Sequence, residues 1–170
     1  MKKNRLVYLV LLFTFSIISI NSNNLLFAQE KYRVSVGIGL MELLNAGFKF
    51  QSNQSQFGIS IGTMPVKEET VLSASVDYYY HFGGISELTT LRPWYSRFGL
   101  TYSYDKMPNY TDKYLYLNLR IGRDLNFSEN MGMHIDAGLN IQLFQSTTSP
   151  DGSWDFPVLP AAGLGFFYQF

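Results

Sequence analysis

The sequence predicts an all-β chain, an eight-stranded antiparallel up-and-down transmembrane β-barrel preceded by a signal peptide. Three observations lead there. The first 28 residues have the make-up of an export leader. Beyond residue 30 no helical period persists, and eight segments alternate apolar with small polar residues. The polar row of that alternation carries too few charges to face water.

The leader comes first in the chain. Lys2, Lys3 and Arg5 open it, residues 6–20 follow without a charge, and Leu25-Leu26-Phe27-Ala28 ends the segment. A basic start, a short apolar core and a small residue at the cut are the parts of a secretory signal peptide. The core is shorter than the roughly 20 apolar residues a membrane helix needs. Cleavage near Ala28 is therefore expected, with residues 29–170 forming the barrel. That removal would leave 10 basic against 13 acidic residues.

Composition narrows the class. The chain has 170 residues, no Cys, and 28 aromatics, of which 14 are Phe, 12 Tyr and 2 Trp. Without Cys there is no disulfide scaffold, no Cys-ligated zinc site and no lipid-anchored N-terminal Cys. Equal numbers of basic and acidic residues, 13 each, give no basic patch for nucleic acid.

The strands follow in order. Residues 72–82 set Leu72, Ala74, Val76, Tyr78, Tyr80 and Phe82 against Ser73, Ser75, Asp77, Tyr79 and His81. Residues 133–143 set Met133, Ile135, Ala137, Leu139, Ile141 and Leu143 against His134, Asp136, Gly138, Asn140 and Gln142. Successive side chains of a strand point to opposite faces, so a period of two marks a strand. The same period runs through 32–40, 46–50, 57–61, 98–104, 115–121 and 162–170. Turn formers fill 52–55, 65–70, 83–92, 105–112, 124–130 and 146–157, and the turn at 41–44 has the weakest signal. An even strand count puts both ends of the barrel chain on one side, expected to be the periplasm after export.

The sense of the alternation decides between two barrels. A soluble lipocalin-type barrel turns its apolar row inward around a ligand. Its outer surface is normally about a quarter to a third charged. Here the polar row is mostly Gly, Ser, Thr and Asn, which suits a crowded interior. Gly152-Ser153-Trp154 is a faint lipocalin-like echo, but the triplet is common and sits in a late loop. The apolar row is therefore expected to face acyl chains, in the dyad pattern of membrane barrels. Tyr and Trp near strand ends fit the aromatic girdles of such barrels.

The inward rows hold Lys49, Asp77, Arg97, Arg120 and Asp136, with His81 and His134 nearby. Hairpin midpoints suggest one row, Asp77–Arg97–Arg120–Asp136, crossing four neighbouring strands at one level. An ionic plug in a narrow lumen is the favoured reading, because small barrels fill their interiors with side chains. A polar conduit or a catalytic cluster is the alternative. His134 and Asp136 share a face, a spacing open to metal or acid–base work, but satisfied interior histidines explain them more simply. No cofactor or metal is expected.

The C-terminal segment carries a family resemblance. Gly163-Leu164-Gly165-Phe166-Phe167-Tyr168-Gln169-Phe170 resembles the assembly signal of bacterial outer-membrane β-barrel proteins, with Gly165, Tyr168 and Phe170 at matching places. Gly163 stands where that signal often has a polar residue. The chain as a whole resembles the small eight-stranded barrels of the OmpA/OmpX-like class. The resemblance implies outer-membrane localisation, recognition by the barrel-assembly machinery, and contact with outer-membrane lipid and lipopolysaccharide. Some small outer-membrane barrels modify lipid A. The deacylases among them pair a His with a Ser two residues on, and neither His81-Phe82-Gly83 nor His134-Ile135-Asp136 has that Ser. The expectation is a non-enzymatic barrel, structural or interacting with a surface partner through loops 105–112 and 146–157. A lipid-A-modifying enzyme and a narrow pore are the alternatives.

Overall fold

The computed structural model describes residues 31–65, 67, 69–148 and 157–170. The leader, the Gly152-Ser153-Trp154 triplet and most of loop 146–157 lie outside the described residues. The strands are β1 (Lys31–Gly39), β2 (Leu43–Ser52), β3 (Ser55–Met64), β4 (Thr70–Gly83), β5 (Trp94–Lys106), β6 (Thr111–Asn126), β7 (Met131–Thr147) and β8 (Val158–Gln169). Each of the eight expected segments falls within one of them or within a residue of its end. β6 and β7 run well beyond their expected limits.

All neighbours pair antiparallel in chain order, and β8 returns to β1 to close the sheet. At the seam Arg33 faces Gln169 and Gly39 faces Gly163. Tyr32 and Phe170 exchange both backbone hydrogen bonds, at 3.1 and 2.9 Å. The register is sheared. Stepping across from Tyr32, the partners are Phe50, Phe57, Tyr78, Phe98, Leu119, Leu139 and Pro160. Continuing the β8–β1 register brings Pro160 level with Glu42, ten residues beyond Tyr32. With eight strands, that stagger means a tilt of about 40° to the barrel axis.

Burial is inverted relative to a soluble protein. Ile59, Ile61, Val36, Ile121 and Leu139 stand exposed on the outside, Ile61 at 72%. Arg33, His81, Gln56, Asn118, Asn140 and Thr101 are fully buried inside. A closed sheet leaves no unpaired backbone edge for hydrocarbon. Its apolar side faces outward, the reverse of the lipocalin sense.

The connections depart from expectation in two places. β1 and β2 meet through a three-residue turn, with Leu43 at φ 61°, and the turn folds into the lumen. Ser73 Oγ donates to the Glu42 carbonyl at 2.9 Å, and a Cβ at Gly62 would overlap that carbonyl. Gly62 is therefore required for the turn to seat. The β4–β5 connection lies across the mouth at the terminal end. Its own Leu91 is buried, Gln54 Nε2 donates to the Thr90 carbonyl at 2.9 Å, and the Asp124 N–H donates to the Pro93 carbonyl at 2.8 Å.

Candidate functional site

The lumen is filled in layers, counted from the terminal end. In the first layer Arg33 of β1 reaches across to Asp124 of β6, Nη1 to Oδ2 at 2.6 Å, and donates from Nη2 to Gln169 Oε1 at 3.0 Å. Its guanidinium lies 3.7 Å from the Phe167 ring centroid. His81 sits beside this layer, its Nδ1 2.6 Å from the Arg92 carbonyl oxygen.

Aromatic rings make the second layer. Tyr79 and Tyr95 meet edge to face at 5.5 Å, and Tyr95 is 1% exposed. The Lys49 ammonium stands 4.0 Å over the Tyr79 ring. A polar cavity of about 30 Å³ opens here between Lys49, Asp77, His134 and Asp136, enough for one water.

The third layer holds the four residues expected from the sequence. Arg97 grips Asp77 with two hydrogen bonds, Nε to Oδ1 at 2.9 Å and Nη2 to Oδ2 at 2.8 Å. Arg120 Nη1 donates to Asp136 Oδ1 at 3.1 Å. The pairing holds, but the single level does not. Asp77 faces Gly99 and Asp136 faces Gly122, so each carboxylate reaches its Arg along a diagonal. Both hairpin registers are offset from the simple midpoint.

Arg97 and Arg120 are themselves direct cross-strand partners. Like charges in that relation are destabilising. Glu42 resolves the conflict from the inward turn. It accepts from Arg97 Nη2 at Oε1 and from Arg120 Nη2 at Oε2, both at 2.9 Å. Tyr95 Oη donates to Asp136 Oδ2 at 3.2 Å, tying the ionic layer to the aromatic one. Above it a neutral layer closes the section. Asn118 Nδ2 donates to Thr101 Oγ1 at 2.7 Å, and the Ser75 and Thr101 hydroxyls are 2.7 Å apart.

Glu42 was not legible, because a short turn gives no signal that it folds inward. Asp124 had a signal that the turn assignment obscured: it continues the inward parity of Asn118, Arg120 and Gly122. His81 and His134 do lie inward, and no cluster of three metal-ligating side chains occurs among the described residues. Gly165 lies on the inner row, where a Cβ would collide with the Val36 carbonyl and the His134 ring. Tyr168 and Phe170 point outward at the terminal end and stack at 6.3 Å.

The N-terminal β-barrel domain of Pseudomonas aeruginosa OprF superposes on the chain with a TM-score of 0.53 at 17% identity, over 83% of this chain and 96% of that one. The chain has the fold of the OmpA-like outer-membrane barrels. Two further solved structures align more loosely. CarO2 of Acinetobacter baumannii gives a TM-score of 0.47 at 9% identity, over 85% of this chain and 100% of that one. A major outer membrane protein of Thermus thermophilus gives 0.48 at 13% identity, over 83% of this chain and 99% of that one. No protein-family model matches the chain, and no curated protein matches it in sequence. It shares the fold of that outer-membrane barrel domain, and its exterior is apolar.

Proposed function

We propose that the protein is a non-enzymatic resident of the outer membrane, structural or acting through its far loops on a surface partner. One observation carries this reading: the lumen is crossed by an ionic layer in which Arg97 and Arg120 are bonded to Glu42, Asp77 and Asp136. The guanidinium and carboxylate groups that could serve chemistry are committed to one another in the ionic layer. What remains free to meet a partner is the end opposite the termini, including Met107, Pro108 and Tyr110 of the β5–β6 loop. Lipopolysaccharide and outer-membrane phospholipid are the surroundings proposed for the exterior. The barrel-assembly machinery is the proposed reader of the segment with Gly165, Tyr168 and Phe170.

Two measurements test the reading. Mass spectrometry of lipid A from cells with and without the protein is expected to give one profile, and a changed acylation pattern would replace this reading with the enzymatic one. Planar bilayers are expected to show no discrete conductance steps. A steady step would mean that the layers part, favouring the narrow pore.

A further inference from the structure

The outward rows of the strands are almost free of charge. Among the described residues they carry three charged side chains: Lys106 and Lys113 at the far end, and Arg123 at the terminal end. Lys113 and Arg123 lie on one strand, with Leu115, Leu117, Leu119 and Ile121 between them on the same row. Ten residues at about 3.3 Å each and a tilt of about 40° span roughly 25 Å, the height of the apolar band of such barrels. The two cations therefore mark the two faces of the bilayer on β6.

Arg123 is exposed and sits among apolar neighbours. Its cross-strand partners are Trp94 on β5 and Ile135 on β7. Its guanidinium lies 5.4 Å from the Trp94 ring centroid, within cation–π range. No carboxylate lies within ion-pair distance of it among the described residues, whereas Arg33, Arg97 and Arg120 are each paired. An unpaired guanidinium at the edge of hydrocarbon needs an anion, and its planar fork matches phosphate oxygens. At that height in a bilayer the available anion is a lipid phosphate.

We propose that Arg123 and Trp94 bind the phosphate of an anionic phospholipid in the leaflet at the terminal end of the barrel. Trp94 covers the guanidinium on the strand beside it, and the lipid phosphate completes its pairing. A headgroup with no cation of its own is preferred, because a zwitterionic headgroup supplies a competing ammonium. The proposal rests on the reading that the exterior faces a bilayer.

Trp94 is also the reporter. The chain has two Trp, so Trp154→Phe leaves Trp94 alone. That protein and its Arg123→Gln derivative are folded into phosphatidylcholine vesicles, and gel mobility before and after boiling confirms folding of each. The vesicles carry a minor fraction of bromine-labelled phosphatidylglycerol or the same fraction of bromine-labelled phosphatidylcholine. Trp94 emission should be quenched more strongly by the labelled phosphatidylglycerol, and Arg123→Gln should abolish the excess. Equal quenching by both lipids in the parent overturns the site. So does an excess that survives in Arg123→Gln. Absence of quenching by either lipid overturns instead the bilayer reading on which the site rests.

Discussion

Glu42 is one carboxylate serving two arginines. Arg97 and Arg120 face each other directly across β5 and β6, and the Glu42 carboxylate bridges them, with Oε1 within 2.9 Å of both guanidinium groups. Removing one partner of a buried ionic group typically costs about 3–5 kcal/mol, because the other charge stays buried. Glu42→Ala and Asp136→Ala should each lower unfolding stability in detergent by that order. Urea titration followed by tryptophan fluorescence checks it. An unchanged midpoint for Glu42→Ala would show that the two guanidinium groups tolerate each other unaided.

A second pair of like charges sits outside the membrane. Asp105 and Asp112 face each other at the far ends of β5 and β6. Partial burial, then Glu69 and Asp112, raise the pKa of the Asp105 carboxyl above its ordinary value. A carboxyl with a raised folded-state pKa is a cost at neutral pH. That cost is relieved as pH falls through the folded value, and the relief is complete below the unfolded one. Asp112→Asn should therefore stabilise the rim at neutral pH by a few tenths of a kcal/mol, with the gain fading in acid. Hydrogen exchange of the β5–β6 amides at two pH values measures this.

At the scale of the strand, parity is the organising quantity. Each strand was legible because apolar and small polar residues alternate, and parity assigned Asp77, Arg97, Arg120 and Asp136 to the lumen correctly. What parity omits is register and strand length. The diagonal offset of Asp77 from Arg97 depends on how each hairpin turns, which no pattern in the sequence states. The sequence pattern ends β6 early, because Asp124 and Asn126 look like turn residues, although both continue the strand. A bulge opposite Leu115 and Tyr116 leaves Leu143 without a direct partner, and Leu143 and Phe144 both stand exposed. Parity also fixes a penalty. Leu119 lies near the middle of the apolar row of β6, so Leu119→Arg should cost about 2–4 kcal/mol of folding in lipid vesicles. A cost near zero, read from denaturant titration, would mean that this row does not face hydrocarbon.

The whole molecule is a closed sheet around a polar core, and that architecture makes it heat-modifiable. Opening any seam exposes backbone donors and acceptors along two strands at once, so unfolding should be all-or-none. In detergent gels the unheated protein should run as a compact species and shift on boiling. A single band unaffected by heating would contradict a closed barrel.

The buried charges are unevenly shared between the parts that must meet when the ring forms. The β1–β2 hairpin contributes Arg33 and Lys49 against Glu42, an excess of one positive charge. The strands β4 to β7 contribute Asp77, Asp124 and Asp136 against Arg97 and Arg120, an excess of one negative charge. The two halves thus attract across the gap before any strand joins them. A two-residue slip at the final seam would keep every greasy side chain on the outside, since parity is unchanged. It would also drag Arg33 about 6.6 Å along the strand, out of reach of Asp124. The inner ions supply what grease cannot, a choice among otherwise equivalent ways of sealing the cylinder.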